Sequence, residues 1–231
     1  PMPTSGRSRD AASRAENLRF HENSSTYTVF RAEDSLGEIQ LNVPGEHNVM
    51  NSLAAVVLGL EMGLSFKQIQ SGIATYQGVR RRFDIKGIYQ SVMIVDDYAH
   101  HPTEVEATLK AAKSGWDRRI VAVFQPHLFS RTQEFFREFS SALRISDLVI
   151  ITDIYPAREK PIPGITAKLI FNEYNNKSKN NCYYVPDLDD LESTLDDIIQ
   201  PNDMVITMGA GNIWRYSESY AKHLKSLNVG V

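Results

Sequence analysis

The sequence of 231 residues holds one cysteine, Cys182, and no second thiol with which it could pair. That excludes an internal disulfide and any metal site built from several thiolates, and it suits a reducing compartment. Cys182 lies in an apolar run, where it reads as a small core residue and not as a nucleophile. No stretch approaches the roughly 20 apolar residues that span a bilayer, and no charged-then-apolar signal opens the chain, so no membrane insertion is expected. A basic excess is missing too: the formal net charge of −3 argues against a general nucleic-acid binder. There is no His-Glu-x-x-His of a zinc protease, and no metal-ligand set is expected in these residues. Nor is there a Gly-x-x-x-x-Gly-Lys-Ser/Thr loop, or any Gly-Lys pair, so the common cradle for nucleotide phosphates is absent from this sequence.

With 42% hydrophobic and 23% charged residues, the composition is that of an ordinary globular protein. Residues 1–16 are small and polar, and are expected to be a disordered or boundary segment. Residues 17–43 read as three short strands around Leu18 and Phe20, Tyr27 and Val29, and Ile39 and Leu41, with turns at 23–25 and 35–37. An apolar face of Val49, Leu53, Val56, Val57 and Leu60 predicts a helix over 47–62. A second helix is predicted from an N-cap at Ser65 to about Tyr76, and Gly78 with Arg80, Arg81 and Arg82 reads as a hinge. Beyond Phe83 short apolar runs (92–95, 120–124, 148–151, 183–185, 204–208) alternate with helical patterns (102–113, 132–143, 166–174, 188–199, 213–223). Continuous apolar strands between helices predict an α/β fold, a mostly parallel sheet with helices on both faces. Functional groups are then expected at the carboxyl ends of the strands. Residues 175–181, low in complexity, read as an exposed loop.

Several polar phrases fall at those strand ends or helix starts. Gly45-Glu46-His47-Asn48-Val49-Met50-Asn51 sets two asparagine amides one turn apart, where they could read a purine edge or merely cap a helix. Asp96-Asp97-Tyr98-Ala99-His100-His101-Pro102-Thr103-Glu104 carries more polar groups than capping needs, which favours a site. Gln125-Pro126-His127 with Arg131 follows the next run. Adjacent strand ends would bring His127 and Arg131 near Tyr98 and His100, and an arginine there could hold a carboxylate. Arg80, Arg81 and Arg82 suit either a solvated linker or a nucleotide phosphate. Gly209-Ala210-Gly211 lacks the third glycine of a dinucleotide fingerprint, having Trp214 there, and reads as a tight turn. The loop from Asp153 to Gly164 is long, charged and stiffened by proline, as functional loops are.

In order and spacing, the Asn48, Asp97 and His127 phrases resemble the Mur ligases, ATP-dependent amide-forming enzymes of bacterial peptidoglycan synthesis. The resemblance covers residues 15 to the end. It implies that residues 17–82 are the C-terminal part of the family's central ATPase domain, a partial α+β remnant. Residues 83–231 would be its C-terminal, Rossmann-like amino-acid-binding domain. Carried over, Asn48 and Asn51 match the adenine-side asparagines, Arg82 the hinge arginine and Asp97 the C-terminal aspartate, both placed in catalysis and ATP binding. Tyr98, His100, His127 and Arg131 fall where the amino-acid pocket would lie. Together with Tyr155-Pro156-Ala157-Arg158-Glu159-Lys160-Pro161-Ile162, the second and third phrases point within the family to the alanine-adding member.

The implied reaction has ATP, with Mg2+, phosphorylate the lactyl carboxylate of UDP-N-acetylmuramate, after which the amine of L-alanine attacks the acyl phosphate. The implied partners are these small molecules, with no nucleic acid; a homo-oligomer is compatible with the reading, and the implied location is the bacterial cytoplasm. Because the phosphate loop and the UDP-binding domain are not in this sequence, the chain is expected to be a C-terminal fragment, inactive alone. Leu128 departs from the alanine enzymes, which often have a basic residue there, and leaves Arg131 as the carboxylate partner. Two alternatives stand: a murein peptide recycling ligase, and a non-catalytic nucleotide-binding module on the same scaffold.

Overall fold

In the computed structural model, residues 5–6, 11–176 and 181–227 are described. The chain divides into two compact units, residues 1–78 with 110–116, and residues 79–109 with 117–231.

The first unit is built on a four-stranded sheet in the order β1 (Ser5–Gly6), β2 (Ser13–His21), β3 (Ser24–Arg31), β4 (Asp34–Leu41). β1 pairs parallel with β2, and the rest is an antiparallel meander. Ser5–Gly6 and 13–16 are therefore strand residues, where an unstructured segment was expected; 1–4 and 7–10 lie outside the described residues. Polar Ser13 and Arg14 hid this strand. They are buried, and Arg14 Nη1 donates to the Ala32 carbonyl at 2.6 Å. The turn expected at 35–37 is also displaced: the chain reverses at Ala32 (φ 51°), and Gly37 sits inside β4 opposite Val29 at a bulge.

One face of this sheet is covered by α1 (Glu46–Glu61) and α2 (Phe66–Ala74), whose Val49, Leu53, Val56 and Ile69 meet Tyr27, Val29, Ile39 and Leu41. The predicted cap is present at Ser65. Its hydroxyl accepts from the Gln68 N–H, while the Gln68 side chain accepts from the Ser65 N–H at 2.9 Å. The Tyr27 hydroxyl would be costly to bury alone, and it meets Ser52 Oγ at 2.7 Å.

The second unit is a six-stranded sheet in the order β5 (Asp84–Tyr89), β6 (Val92–Asp97), β10 (Asp203–Met208), β7 (Arg119–Phe124), β8 (Leu148–Ile151), β9 (Cys182–Tyr184). All neighbours are parallel except β5, an antiparallel edge strand. β5 has no apolar run to announce it: its residues are half-exposed and a bulge falls at Gly87. The helices are α3 (Pro102–Gly115, of which residues 110–115 count with the first unit), α4 (Phe129–Leu143), α5 (Lys168–Asn175), α6 (Leu191–Ile198) and α7 (Ile213–Leu227). The central strands are buried along their length, as a sheet covered on two faces requires. Cys182 is half-buried, and burial pushes its thiol up to about 12, so it stays protonated.

Strand order places the site. β10 lies between β6 and β7, with Met208 paired to both Asp97 and Phe124. The Asp97 and Gln125 phrases therefore do not leave adjacent strands, as expected from the sequence, but meet across the turn that follows β10. The exits of β6, β10, β7 and β8 are level, because Phe124 is also paired with Ile151.

Candidate active site

At the exit of β6, Asp97 is buried with both carboxylate oxygens engaged. Oδ2 accepts from the Phe83 N–H and Oδ1 from the Ala99 N–H, each at 2.8 Å. Burial pushes its carboxyl up to about 6, against the pull of these donors and of Arg82. Asp96, wholly buried, receives Arg81 Nε at 3.0 Å and Thr207 Oγ1 at 3.0 Å. Arg81 also donates to the Gly209 carbonyl at 2.7 Å and lies 4.8 Å over the Tyr98 ring. The arginine run is thus divided by role. Arg81 is internal, Arg80 pairs at the surface with Glu218, and Arg82 keeps a half-exposed guanidinium 3.6 Å from Glu104 and 5.7 Å over Tyr98.

After Asp97 the chain enters α3 through Tyr98, His100 and His101. Glu104 closes the helix start, accepting from the His100 N–H at 3.0 Å and the His101 N–H at 3.2 Å, as a carboxylate at a helix N-terminus does. The His100 ring is fixed by Nδ1 against the Tyr98 carbonyl at 2.8 Å and lies 6.0 Å from the His127 ring. At the exit of β7, His127 is half-buried, with Arg131 Nη1 3.4 Å from its Nδ1. Burial, then the Arg131 and His100 charges, hold the His127 imidazole below the ordinary histidine range, so it is neutral near pH 7. Tyr98, His100, His127 and Arg131 are thus brought together in the second unit.

The first unit holds Asn48 and Asn51. They line a cavity of about 340 Å³ with Leu41, Ser52, Ala55, Ile73 and Tyr76. That is within the range of small-molecule pockets, apolar walls with a few amides. The two asparagines differ in duty: Asn48 Nδ2 donates to the Pro44 carbonyl at 2.7 Å, whereas Asn51 is exposed and its amide makes no hydrogen bond among the described residues.

Three residues carry roles that their place in the sequence did not reveal. Tyr155 stacks on His127, with ring centroids 5.8 Å apart and planes 14° apart. Glu159 accepts from the Ser130 N–H at 3.0 Å and from its hydroxyl, fixing the start of α4. Gln125 reaches the start of α7, donating to Asn212 Oδ1 at 2.8 Å and accepting from the Ile213 N–H at 3.2 Å. The Gly209-Ala210-Gly211 turn packs against this last group, as a tight turn and not a free anion cradle. For the first two the signals were the proline-stiffened loop after β8 and the family-like phrase from Tyr155 to Ile162, neither of which says what the side chains touch.

The family model for "Mur ligase, glutamate ligase domain" matches residues 81–211, and the one for "Mur ligase middle domain" matches residues 2–59. The chain belongs to the Mur ligase family. Among its relatives, the UDP-N-acetylmuramate–L-alanine ligase of Salinibacter ruber is 45% identical over 96% of this chain and 47% of its own length. That of Geotalea uraniireducens is 45% identical over 96% and 48%. The crystal structure of UDP-N-acetylmuramate–alanine ligase MurC from Thermotoga maritima superposes with a TM-score of 0.81 at 26% identity, over 95% of this chain and 47% of that one. The chain spans about half the length of the curated relatives it matches.

Proposed function

We propose that this chain is the C-terminal part of an ATP-dependent ligase that joins L-alanine to the lactyl carboxylate of UDP-N-acetylmuramate. The observation that carries the reading is the 45% identity to enzymes of that name along almost the whole chain. The polar residues at the sheet's carboxyl edge support it. Residues 17–82 would be the end of the central ATPase domain and 83–231 the amino-acid-binding domain, working in the bacterial cytoplasm. Among the described residues no helix is long and apolar enough to cross a membrane.

Each unit has its own task in that reaction. The Asn48 and Asn51 cavity fits a flat base, with apolar walls and an amide open at the rim. Arg82 offers a half-exposed guanidinium to the nucleotide phosphates, and Asp97 sets its position by holding the Phe83 N–H. Arg131 holds the amino-acid carboxylate, and Tyr98, His100 and neutral His127 enclose the amine. When bound, ATP supplies the phosphoryl group that activates the lactyl carboxylate. A Mg2+ accompanying the nucleotide would be held mainly by the phosphates and by few protein groups.

The test is phosphate release by the whole enzyme with ATP, Mg2+ and UDP-N-acetylmuramate. L-alanine is expected to support turnover, and the 231-residue chain alone to give none. Preference for an L-Ala–D-Glu-containing tripeptide would move the assignment to murein peptide recycling. No release with either would leave a binding module on a ligase scaffold.

A further inference from the structure

The loop after β8 approaches the site with one aromatic side chain, Tyr155. Its backbone is clamped: the Tyr155 N–H donates to the Pro126 carbonyl at 2.8 Å, and the Tyr155 carbonyl accepts from the Leu128 N–H at 3.0 Å. Residues 155 and 127 thereby form an isolated parallel bridge just beyond the ends of β7 and β8. Behind the ring, the Gly211 backbone presses close. A Cβ added there would stand 2.5 Å from Tyr155 Cγ and 2.8 Å from its Cβ. Further along, the Glu159 carboxylate holds the Ser130 N–H at 3.0 Å, pinning the loop to the start of α4. The backbone that carries the ring is therefore held in place on both sides.

Its position restricts what can lie beside His127. Tyr155 is stacked on the imidazole at 5.8 Å, and His100 stands 6.0 Å away edge-on, so two sides of that imidazole are closed by rings. Arg131, 3.4 Å from His127 Nδ1, would bring the substrate carboxylate to the same spot. A carboxylate held there would set its α-carbon, and the side chain on it, in the bay that we infer beside the Tyr155, His127 and His100 rings. A methyl group suits such a bay; each added carbon must displace a ring whose backbone is clamped in place.

We propose that Tyr155 is a specificity-determining residue that limits the incoming amino acid to a small side chain. The inference rests on the ligase reading above and adds to it a residue that excludes larger substrates.

The test compares kcat/KM of the whole enzyme for glycine, L-alanine and L-2-aminobutyrate in wild type, Y155F, Y155A and Y155W. One methylene in a tight pocket is worth roughly 10–200-fold. The wild type is expected to favour L-alanine over L-2-aminobutyrate by that order, and Y155A to shrink the ratio about tenfold. Y155F keeps the ring and should keep the ratio. Y155W keeps the stacking but fills more of the bay, so it should shift preference from L-alanine towards glycine. Unchanged ratios in Y155A and Y155W overturn the proposal, as does a folded Y155A that turns over no amino acid. Where Y155A does not fold, the Y155W ratio alone decides. A wild type inactive with free L-alanine would instead defeat the function reading. The same variants would then be compared on peptides differing in their N-terminal residue, where equal ratios dismiss Tyr155.

Discussion

The Phe83 N–H donates to Asp97 Oδ2 at 2.8 Å, and this bond fastens the end of the arginine run to the end of β6. Both carboxylate oxygens of Asp97 accept from backbone, so the group works through other residues: it fixes where Arg81 leaves for Asp96 and where Arg82 leaves for the surface. Asn at this position offers one acceptor where two are needed. D97N should lose about 1–3 kcal/mol of unfolding free energy by orphaning a buried N–H. A pH series adds a sharper test. Asp97 titrates near 6 in the fold, above its ordinary 3.8. A raised carboxyl contributes stability that is fully present below the unfolded value and is lost as pH rises through the folded one. The wild type's advantage over D97N should therefore be smaller at about pH 7 than at about pH 4. Denaturant melts at the two values settle it; a constant difference would show that Asp97 does not titrate as the geometry requires.

His127 and Arg131 make a second, independent prediction. Burial comes first in lowering the imidazole, and the Arg131 guanidinium comes next. R131Q keeps a polar side chain and removes the charge, so the His127 midpoint should move up towards the ordinary histidine value near 6.5. An NMR titration of the ring reads this directly. The same variant should weaken use of the amino acid mainly through KM, because it removes a ground-state contact to the carboxylate. An unmoved midpoint would mean that the Arg131 charge does not reach the imidazole.

The two asparagines in the first unit should part company. Asn48 is committed to the Pro44 carbonyl at 2.7 Å, so N48A should cost about 1 kcal/mol of stability. Asn51 holds no protein partner among the described residues, so N51A should leave stability unchanged within about 0.5 kcal/mol. Its effect should appear in nucleotide affinity. The loss of one neutral hydrogen bond is worth about 1 kcal/mol, or roughly fivefold in the Kd for ATP measured by calorimetry on the whole enzyme. Equal effects of both variants on binding and on melting would show that neither amide is reserved for a ligand.

What could be read in the sequence follows from what writes itself locally. Five strands of the second unit begin or end in apolar runs that were visible as such, and the central ones are continuous because both their faces are covered. The Ser65 cap was visible because it needs only residues 65 and 68. β5 was not, since an edge strand containing Lys86 and Gly87 carries no apolar signature. The start of β2 was hidden because Arg14 is buried through partners that the local sequence does not announce, among them the Ala32 carbonyl eighteen residues away and the Phe30 ring. In the site, Tyr98, His100, His127 and Arg131 stood out by residue type. Tyr155 and Arg81 did not, because their roles arise where one strand exit crosses another: Tyr155 over His127, Arg81 between Asp96 and Gly209. Even the insertion of β10 between β6 and β7 leaves no local trace, although it decides which phrases meet.

That crossing makes Gly211 the most exacting position in the site. A methyl group added there would come 2.3 Å from Gln125 Oε1 and 2.5 Å from Tyr155 Cγ. Neither neighbour can yield cheaply. Gln125 is buried and serves the start of α7 through the Ile213 N–H, and Tyr155 is clamped by its own backbone. G211A should therefore destabilise the second unit by about 1–3 kcal/mol, the usual range for overpacking. It should also disturb substrate choice, because the easiest relief is to push the Tyr155 ring towards His127 and narrow the bay. Thermal unfolding reads the first effect, and the glycine-to-alanine ratio of kcat/KM in the whole enzyme reads the second, which should rise. Combining G211A with Y155A removes the Tyr155 Cγ contact at 2.5 Å, while the contacts to Gln125 Oε1 and to the residue-155 Cβ remain, so the double variant should lose somewhat less stability than the two single losses added together. Strict additivity would mean that the Tyr155 ring plays no part in what Gly211 tolerates.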